Sequence, residues 1–324
     1  MFVARRLAGG SHQDVLAKEP AVGKRVSAQG VGDVGAGLDI GQDTARQTEV
    51  LLRIAPRLLP SLSAIHSPYT TRVRPETAER LLALNRGFYQ RFASAFVTKR
   101  RRLQPGVARA LPQIEADDSV LDIGCGHGLL AAALQTAGHR GRYVGLDASS
   151  GLLAEARRKE LGAAMFLMAD LADGAWSQAL AATGAKPFSW IFALAVLHHL
   201  PGEGLRRSVA ELARGWLSPE GTMIVSVWDF LASPKWRKRI LPWQAVGLVE
   251  AEVDPDDYLL DWREGGQAFR YVHHFTPEAL VALANEAGFS VVETYRSDGE
   301  GGRLGLYQVW RRREGGMGGD ESAE

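Results

Sequence analysis

Hydrophobic and polar positions divide the chain into an irregular start and a regular remainder. Residues 1–72 show no sustained helical or strand period and are rich in Gly, Ala, Ser and Val, so we expect a poorly ordered extension. From Glu76 to Phe96, apolar residues recur every three or four positions, which predicts one amphipathic helix. Short apolar runs then alternate with helical patterns, and this alternation indicates a parallel β-sheet.

The alternating part predicts a doubly wound, Rossmann-like α/β fold over residues 73–313. Strands are expected at 120–123, 143–146, 165–168, 190–194, 222–227, 290–295 and 304–310, and helices at about 128–137, 150–160, 175–182 and 204–214. Residues 229–272 lack strict periodicity, so we expect an insertion that covers the ligand-binding edge of the sheet as a lid. The Gly-rich, acidic residues 314–324 are expected to form a disordered tail.

Composition and charge narrow the class of protein. Hydrophobic residues make up 46% and charged residues 23% of the 324 residues, which excludes wholesale disorder and a fibrous protein. A net charge of +1 gives no global attraction to nucleic acid or membrane, so RNA binding would need a local basic patch. The one cysteine, Cys125, fits a reducing compartment, and we expect the cytoplasm. No apolar stretch reaches membrane-spanning length, so no membrane association is expected.

The strongest local signal is an apolar strand that runs into three alternating glycines, in the sequence VLDIGCGHG from Val120 to Gly128. Glycine lets the backbone close around a ligand, and the N-terminus of the following helix offers free N–H groups. Asp147 and Asp170 end the next two predicted strands. There, one carboxylate can accept hydrogen bonds from ribose hydroxyls and the other from an exocyclic amine. The spacing therefore predicts a nucleoside-bearing cofactor.

These features resemble the class I S-adenosylmethionine-dependent methyltransferases (methyltransferase type 11 domain), over about residues 80–312. The resemblance implies S-adenosylmethionine as cofactor and a mostly parallel seven-stranded sheet with an antiparallel last strand. It assigns Asp122 and the glycine loop to the methionine part of the cofactor, Asp147 to the ribose, and Asp170 with Leu171 to the adenine. The full set of implied cofactor-binding residues is Asp122, Gly124, Cys125, Gly126, Asp147, Ala148, Asp170, Leu171 and Ala195.

A narrower resemblance is to the tRNA wobble-uridine methyltransferases, which esterify a carboxymethyl group on the base. It is carried by Phe88-Tyr89 to Arg100, by Val227-Trp228 and by the sequence RYVHHF at 270–275. It implies a carboxymethyluridine of tRNA as acceptor, with Arg100, Trp228, Tyr271 and His273 as substrate-binding residues. Eukaryotic members of that group work with a small zinc-binding activator subunit, so such a partner is left open.

His198 and His199, in the segment 193–201 that continues the predicted fourth strand, are the candidate catalytic residues. Adjacent side chains on a strand point to opposite faces, so we expect only one of the two to face the transferred methyl group. A phenol or carbon acid would need such a base, whereas a carboxylate is already ionised at neutral pH. The absence of an evident base dyad in the sequence favours a carboxylate acceptor.

Two alternatives to a tRNA enzyme stay open. One is a methyltransferase for a small molecule such as a quinone, a lipid or a secondary-metabolite acid. The other is a non-catalytic cofactor-binding subunit, although the intact glycine loop and carboxylates favour an enzyme. RNA contact would use the basic runs at 99–102 and 235–239, with Trp236, Trp243 and Tyr271 as stacking planes. No metal site is expected, because His273-His274 lack a third ligand at a suitable spacing.

Overall fold

The computed structural model describes residues 73–263, 266–299 and 301–313. All of them belong to the compact unit His66–Glu324. The predicted extension at 1–72 and the predicted tail at 314–324 lie outside the described residues. Within the described part of the chain, no helix is long and apolar enough to cross a bilayer.

Ten strands are described. They are β1 (Val120–Ile123), β2 (Tyr143–Asp147), β3 (Met165–Met168), β4 (Phe188–Leu194), β5 (Leu217–Trp228), β6 (Ile240–Leu241), β7 (Asp257–Trp262), β8 (Ala268–His273), β9 (Phe289–Ser297) and β10 (Gly305–Arg312). Seven of them form one sheet in the order β3-β2-β1-β4-β5-β10-β9. Strands β1 to β5 pair in parallel, and β10 runs antiparallel to β5 and β9. The predicted Rossmann-like sheet with an antiparallel last strand is confirmed.

Nine α-helices accompany the strands. They are α1 (Pro75–Arg91), α2 (Ala93–Lys99), α3 (Pro105–Ala108), α4 (Leu129–Thr136), α5 (Ser150–Arg157), α6 (Ala175–Ala182), α7 (Glu203–Trp216), α8 (Pro234–Arg237) and α9 (Pro277–Glu286) among the described residues. The single helix predicted from Glu76 to Phe96 is interrupted at Phe92, whose φ of −108° and ψ of 18° leave the helical region. Its ring lies 5.5 Å from that of Phe88 and 6.2 Å from that of Trp262.

The seven-stranded sheet is buried on both faces. Along β1, Val120 belongs to an apolar cluster that includes residues of α3, α4 and α5. Leu121 and Ile123 belong to a second cluster that includes residues of α6, α7 and α9. Helices therefore cover both faces of the sheet, and the carboxyl ends of the parallel strands are left as the edge at which a ligand can bind.

The segment 229–272, expected as an irregular lid, contains a small antiparallel sheet in the order β6-β7-β8. These strands could not be predicted from the sequence, because β7 and β8 are largely buried on both faces and their residues do not alternate between polar and apolar. Leu259 and Tyr271 pack with Leu81 of α1. Leu260 and Val272 pack in a cluster with Trp228.

Asn85 on α1 joins three distant parts of the chain. Its Nδ2 donates to the backbone oxygens of His199 (3.2 Å) and Tyr271 (3.1 Å), and its Oδ1 accepts from the backbone N–H of Tyr271 (3.0 Å). The side chain is only 5% exposed. A single buried amide thus holds helix α1, strand β8 and the short 3-10 turn Leu197–His199 together.

Replacing Asn85 by alanine leaves these backbone groups without their partner. We expect Asn85→Ala to lower the free energy of unfolding by about 2–4 kcal/mol, because buried donors and acceptors lose their hydrogen bonds. Urea denaturation measures the change. Asn285→Ala, at an exposed position of α9, is the matched control and should change stability by less than about 0.5 kcal/mol. An equally small change in Asn85→Ala would contradict the expectation.

Candidate active site

A cavity of about 230 Å³ lies at the carboxyl ends of β1 to β4. Its walls come from the strand ends on one side and from α1, α2 and Trp228 at the end of β5 on the other. All nine residues that the sequence analysis assigned to a cofactor line it: Asp122, Gly124, Cys125, Gly126, Asp147, Ala148, Asp170, Leu171 and Ala195. The parallel topology brings these residues together, because the carboxyl ends of parallel strands meet at one edge.

The glycine turn after β1 uses its first two glycines for different reasons. Both have positive φ, +75° at Gly124 and +55° at Gly126. A Cβ on Gly124 would lie 2.2 Å from Cγ2 of Val196, whereas a Cβ on Gly126 would meet no protein atom within 4 Å. Gly124 is therefore required for packing against the wall of the cavity, and Gly126 leaves open space inside it.

Asp147, at the end of β2, supports the glycine turn as well as lining the cavity. Its Oδ2 accepts from the backbone N–H of Gly126 (2.9 Å), and its Oδ1 accepts from that of Ser149 (2.8 Å). Burial raises the pKa of this carboxyl, and the two backbone N–H groups lower it. A carboxylate oxygen can accept more than one hydrogen bond, so Asp147 keeps acceptor capacity for a ligand.

Asp170 follows β3 in a similar arrangement. Its Oδ1 accepts from the backbone N–H of Ala172 (2.9 Å), and its Oδ2 accepts from Nε of Arg86 (2.6 Å). Arg86 comes from α1, so an ion pair links that helix to the strand edge beside the cavity. The third acidic strand end predicted from the sequence therefore lies in the same cavity as the other two.

Asp122, at the third position of β1, has an incomplete set of partners. It is 2% exposed, and its Oδ2 accepts from the hydroxyl of Tyr143 at 2.6 Å. Its Oδ1 is buried and has no hydrogen-bond partner among the described residues. Burial raises the pKa of Asp122 to about 7, and the charge of Asp147 adds to this, whereas the bond from Tyr143 lowers it. A ligand with a positive charge or an N–H donor would satisfy the unpaired oxygen.

Both candidate catalytic histidines line the cavity, whereas a position on a strand would have pointed them to opposite faces. They lie on the 3-10 turn Leu197–His199 instead of on β4, which ends at Leu194. Side chains alternate between faces on a strand but not on such a turn. The two rings are consequently close, with centroids 4.2 Å apart.

The two histidines differ in their partners. Nδ1 of His199 lies 3.1 Å from the carbonyl oxygen of Tyr271, which can only accept, so this nitrogen carries the proton. Its Nε2 then accepts from the hydroxyl of Tyr89 at 2.8 Å. Neither ring nitrogen of His198 has a partner among the described residues, and its ring stacks on Trp228. Burial lowers the pKa of His199 to about 3, and the charge of Arg270 contributes. Burial also lowers the pKa of His198 well below its ordinary value, so both rings are neutral at pH 7.

The four residues implied as substrate-binding fall into two pairs. Arg100 and Trp228 line the cavity, whereas Tyr271 and His273 do not. The correction has a physical reason, because both side chains are engaged by buried Asp257. Its Oδ1 accepts from the Tyr271 hydroxyl (2.7 Å) and lies 2.8 Å from Nδ1 of His273. Tyr271 instead contributes through its backbone, which holds His199 and Asn85.

Asn85 and Tyr89 both line the cavity, although neither was predicted from the sequence as a site residue. They lie four residues apart on α1, beside its apolar stripe. Residues four apart on a helix are neighbours. Two polar side chains at that spacing on a largely apolar face are therefore the feature of the sequence that could have indicated a site there.

The proposed RNA-stacking surface is also corrected in part. Trp243 is 2% exposed and Tyr271 is fully buried, so neither ring can stack on a base, and Trp236 is half-buried. Burial raises the pKa of the Cys125 thiol well above its ordinary value, and the side chain packs in the apolar cluster that contains Val120. In the described parts of the chain, no group of three or more His, Cys, Asp or Glu residues is placed to hold a metal ion.

Comparison with known proteins identifies the family to which this chain is similar. The family described as "Methyltransferase domain" matches residues 90–294. The chain is 32% identical over 177 residues to the ubiquinone biosynthesis O-methyltransferase of Azorhizobium caulinodans, covering 54% of this chain and 59% of that one. It is 34% identical over 142 residues to the trans-aconitate 2-methyltransferase of Methylobacterium nodulans, covering 44% and 50%. The chain thus spans about half the length of the curated relatives it matches.

The fold has counterparts among solved structures. A crystal structure of an S-adenosylmethionine-dependent methyltransferase from Methanosarcina mazei matches with a TM-score of 0.50 at 20% identity, over 65% of this chain and 99% of that one. The similarity confirms the predicted fold, and the family match confirms a methyltransferase domain. The narrower resemblance to the tRNA wobble-uridine group stays a prediction. Because the family match covers more than half of its length, the chain belongs to the methyltransferase domain family.

Proposed function

We propose that this domain transfers a methyl group from S-adenosylmethionine to a small-molecule acceptor. The observation that carries the proposal is the division of the cavity into two chemically distinct halves. The cofactor half, at the ends of β1 to β3, contains Asp122, Gly124, Gly126, Asp147 and Asp170. The acceptor half, beside β4, β5 and the first two helices, contains Tyr89, Phe96, Arg100, His198, His199 and Trp228.

The cofactor half fits S-adenosylmethionine in charge and shape. The unpaired, buried Oδ1 of Asp122 suits a cationic group, which would remove the cost of burying a carboxylate alone. The open space at Gly126 suits a ligand lying against the turn. Asp147 and Asp170 each keep acceptor capacity, for ribose hydroxyls and for the adenine amine respectively.

The acceptor half suits a displacement reaction. When bound, S-adenosylmethionine supplies a methyl group attached to a positively charged sulfur. The protein then mainly has to orient the acceptor in line and exclude water. Phe96 and Trp228 provide aromatic walls for this purpose. His199, neutral and hydrogen-bonded on both nitrogens, fixes the position of the Tyr89 hydroxyl at the wall.

A small molecule is supported over tRNA as the acceptor by two observations. Two of the three aromatic rings that would stack on an RNA base, those of Trp243 and Tyr271, are buried. The names of the two curated relatives refer to ubiquinone biosynthesis and to trans-aconitate, both small molecules. The tRNA wobble-uridine acceptor, and with it an activator subunit, remains the alternative that the experiment below separates.

The glycine turn gives a prediction with a matched control. We expect Gly126→Ala to weaken S-adenosylmethionine binding by roughly tenfold or more, because the methyl group enters the space left for the ligand. Gly138→Ala is the control, since Gly138 also has positive φ and open surroundings but does not line the cavity. Both variants should lose about 1–2 kcal/mol of stability from left-handed alanine. Calorimetric titration that finds equal cofactor affinity in the two variants would refute the assignment of Gly126.

The raised pKa of Asp122 predicts that cofactor binding releases protons near neutral pH. Burial raises its pKa to about 7, so the group is partly protonated at pH 7. A bound cation favours the carboxylate and lowers that pKa, so a fraction of a proton leaves at pH 7 and almost none leaves at pH 9. Calorimetry in buffers of different ionisation enthalpy measures the release. Asp122→Asn should abolish it, and equal release in wild type and variant would count against this role.

The proposed function is tested by transfer of radiolabelled methyl from S-adenosylmethionine into two pools from the source organism, total tRNA and a small-molecule extract. We expect label in the small-molecule pool, reduced in Gly126→Ala and retained in Gly138→Ala. Label in tRNA that is lost on mild base treatment would indicate a methyl ester on tRNA and would overturn the small-molecule proposal. Label in neither pool, together with no cofactor binding, would overturn the proposed enzyme as a whole.

A further inference from the structure

We propose that the acceptor is a carboxylic acid, bound as its carboxylate by Arg100 with Arg270 behind it, and methylated on that group. The proposal rests on the proposed function and names the substrate class of the same cavity. It starts from two arginines beside the acceptor half that have no carboxylate partner among the described residues.

Arg100 lines the cavity and holds its guanidinium against two aromatic rings. The centre of the guanidinium lies 4.6 Å from the ring centroid of Phe96 and 5.9 Å from that of Trp228. The side chain makes no hydrogen bond or ion pair within the described residues. Asp298 is the one carboxylate whose charge acts on it appreciably. That carboxylate already accepts from the backbone N–H of Gly106 (2.9 Å) and from the hydroxyl of Tyr307.

Arg270 lies behind the aromatic wall. It is 3% exposed, and its guanidinium lies 4.3 Å from the ring centroid of Trp228 and 5.0 Å from that of Phe88. Its Nε is buried without a hydrogen-bond partner in the described part of the chain. Burial lowers the pKa of both arginines, and the charge of Arg100 lowers that of Arg270 further. The structure thus holds two like charges on one tryptophan, and no carboxylate among the described residues pairs with either of them.

A buried charge is ordinarily paired, because leaving water costs more than packing returns. Two cations without a carboxylate partner among the described residues, Arg100 lining the cavity and Arg270 behind its wall, therefore favour an anionic ligand there. The acidic residues lie in the cofactor half, where a cationic ligand is expected, and the one arginine beside them, Arg86, is paired with Asp170. Arg100, which has no such partner among the described residues, lies in the acceptor half. Two ligands of opposite charge fit this division. Arginine binds a planar carboxylate in bidentate geometry, which gives orientation as well as charge.

The chemistry of the acceptor half agrees with a carboxylate nucleophile. His199 is a poor base, because burial and Arg270 lower its pKa to about 3 and its Nε2 is occupied by the Tyr89 hydroxyl. A carboxylate needs no base. Its oxygen forms a bond to the methyl carbon as the carbon–sulfur bond breaks, and that electron pair stays on sulfur. The products are a methyl ester and a neutral thioether, and no proton is transferred.

The binding test uses the full chain saturated with S-adenosylhomocysteine, so that only the acceptor half is free. Benzoate, hexanoate and succinate are titrated by calorimetry beside their uncharged amides. We expect at least one acid to bind roughly tenfold or more tightly than its amide. Arg100→Gln should remove this preference. Arg101→Gln is the matched control, because the neighbouring Arg101 is exposed and does not line the cavity, and it should keep the preference.

The outcomes separate the two proposals. Normal S-adenosylhomocysteine binding with no preference for any acid over its amide, or with a preference that survives Arg100→Gln, overturns the carboxylate proposal alone. Absence of S-adenosylhomocysteine binding in wild type overturns the proposed function itself. A second readout is the labelled methyl product: mild base should release the label as methanol, and a base-stable product overturns methylation on the carboxylate.

Discussion

The hydrogen bonds of the Asn85 side chain are the interaction on which the acceptor half of the cavity depends. Its amide pairs with both the N–H and the carbonyl of Tyr271 and also with the carbonyl of His199. These groups come from helix α1, from the small sheet and from the turn after β4. The Tyr271 carbonyl in turn holds Nδ1 of His199. The position of the His199 ring is therefore set by backbone contacts that no residue next to it in sequence provides.

The second constraint is electrostatic. Three carboxylates, those of Asp122, Asp147 and Asp170, lie at the carboxyl ends of neighbouring strands. Arg100 and Arg270 lie on the other side, beside Trp228 at the end of β5. Each group is costly to bury alone, as the raised pKa of Asp122 and the lowered pKa of Arg270 indicate. Bound ligands of complementary charge would reduce both costs. Methyl transfer to a carboxylate requires this pairing of ligands, with a cationic methyl donor on one side and an anionic acceptor on the other.

The parts of the site that could be predicted from the sequence are those fixed by local geometry. The glycine turn and the two following strand ends lie within single strand–turn–helix units, and parallel pairing then brings Asp122, Asp147 and Asp170 together. Long-range contacts could not be predicted. Nothing near Tyr271 in sequence indicates that Asp257 engages its hydroxyl, or that Asn85 binds its backbone. The pair His198 and His199 was assigned to a strand because the apolar run continues past the residue where β4 ends.

The most direct test of the central claim is a crystal structure of the full chain with S-adenosylhomocysteine and a carboxylate acceptor analogue such as benzoate. We expect the nucleoside to lie beside Asp147 and Asp170, and the carboxylate to lie within hydrogen-bond distance of the Arg100 guanidinium. Nucleoside density away from these strand ends, or a carboxylate bound without contact to Arg100, would contradict the division of the cavity into a cofactor half and an anion-binding acceptor half.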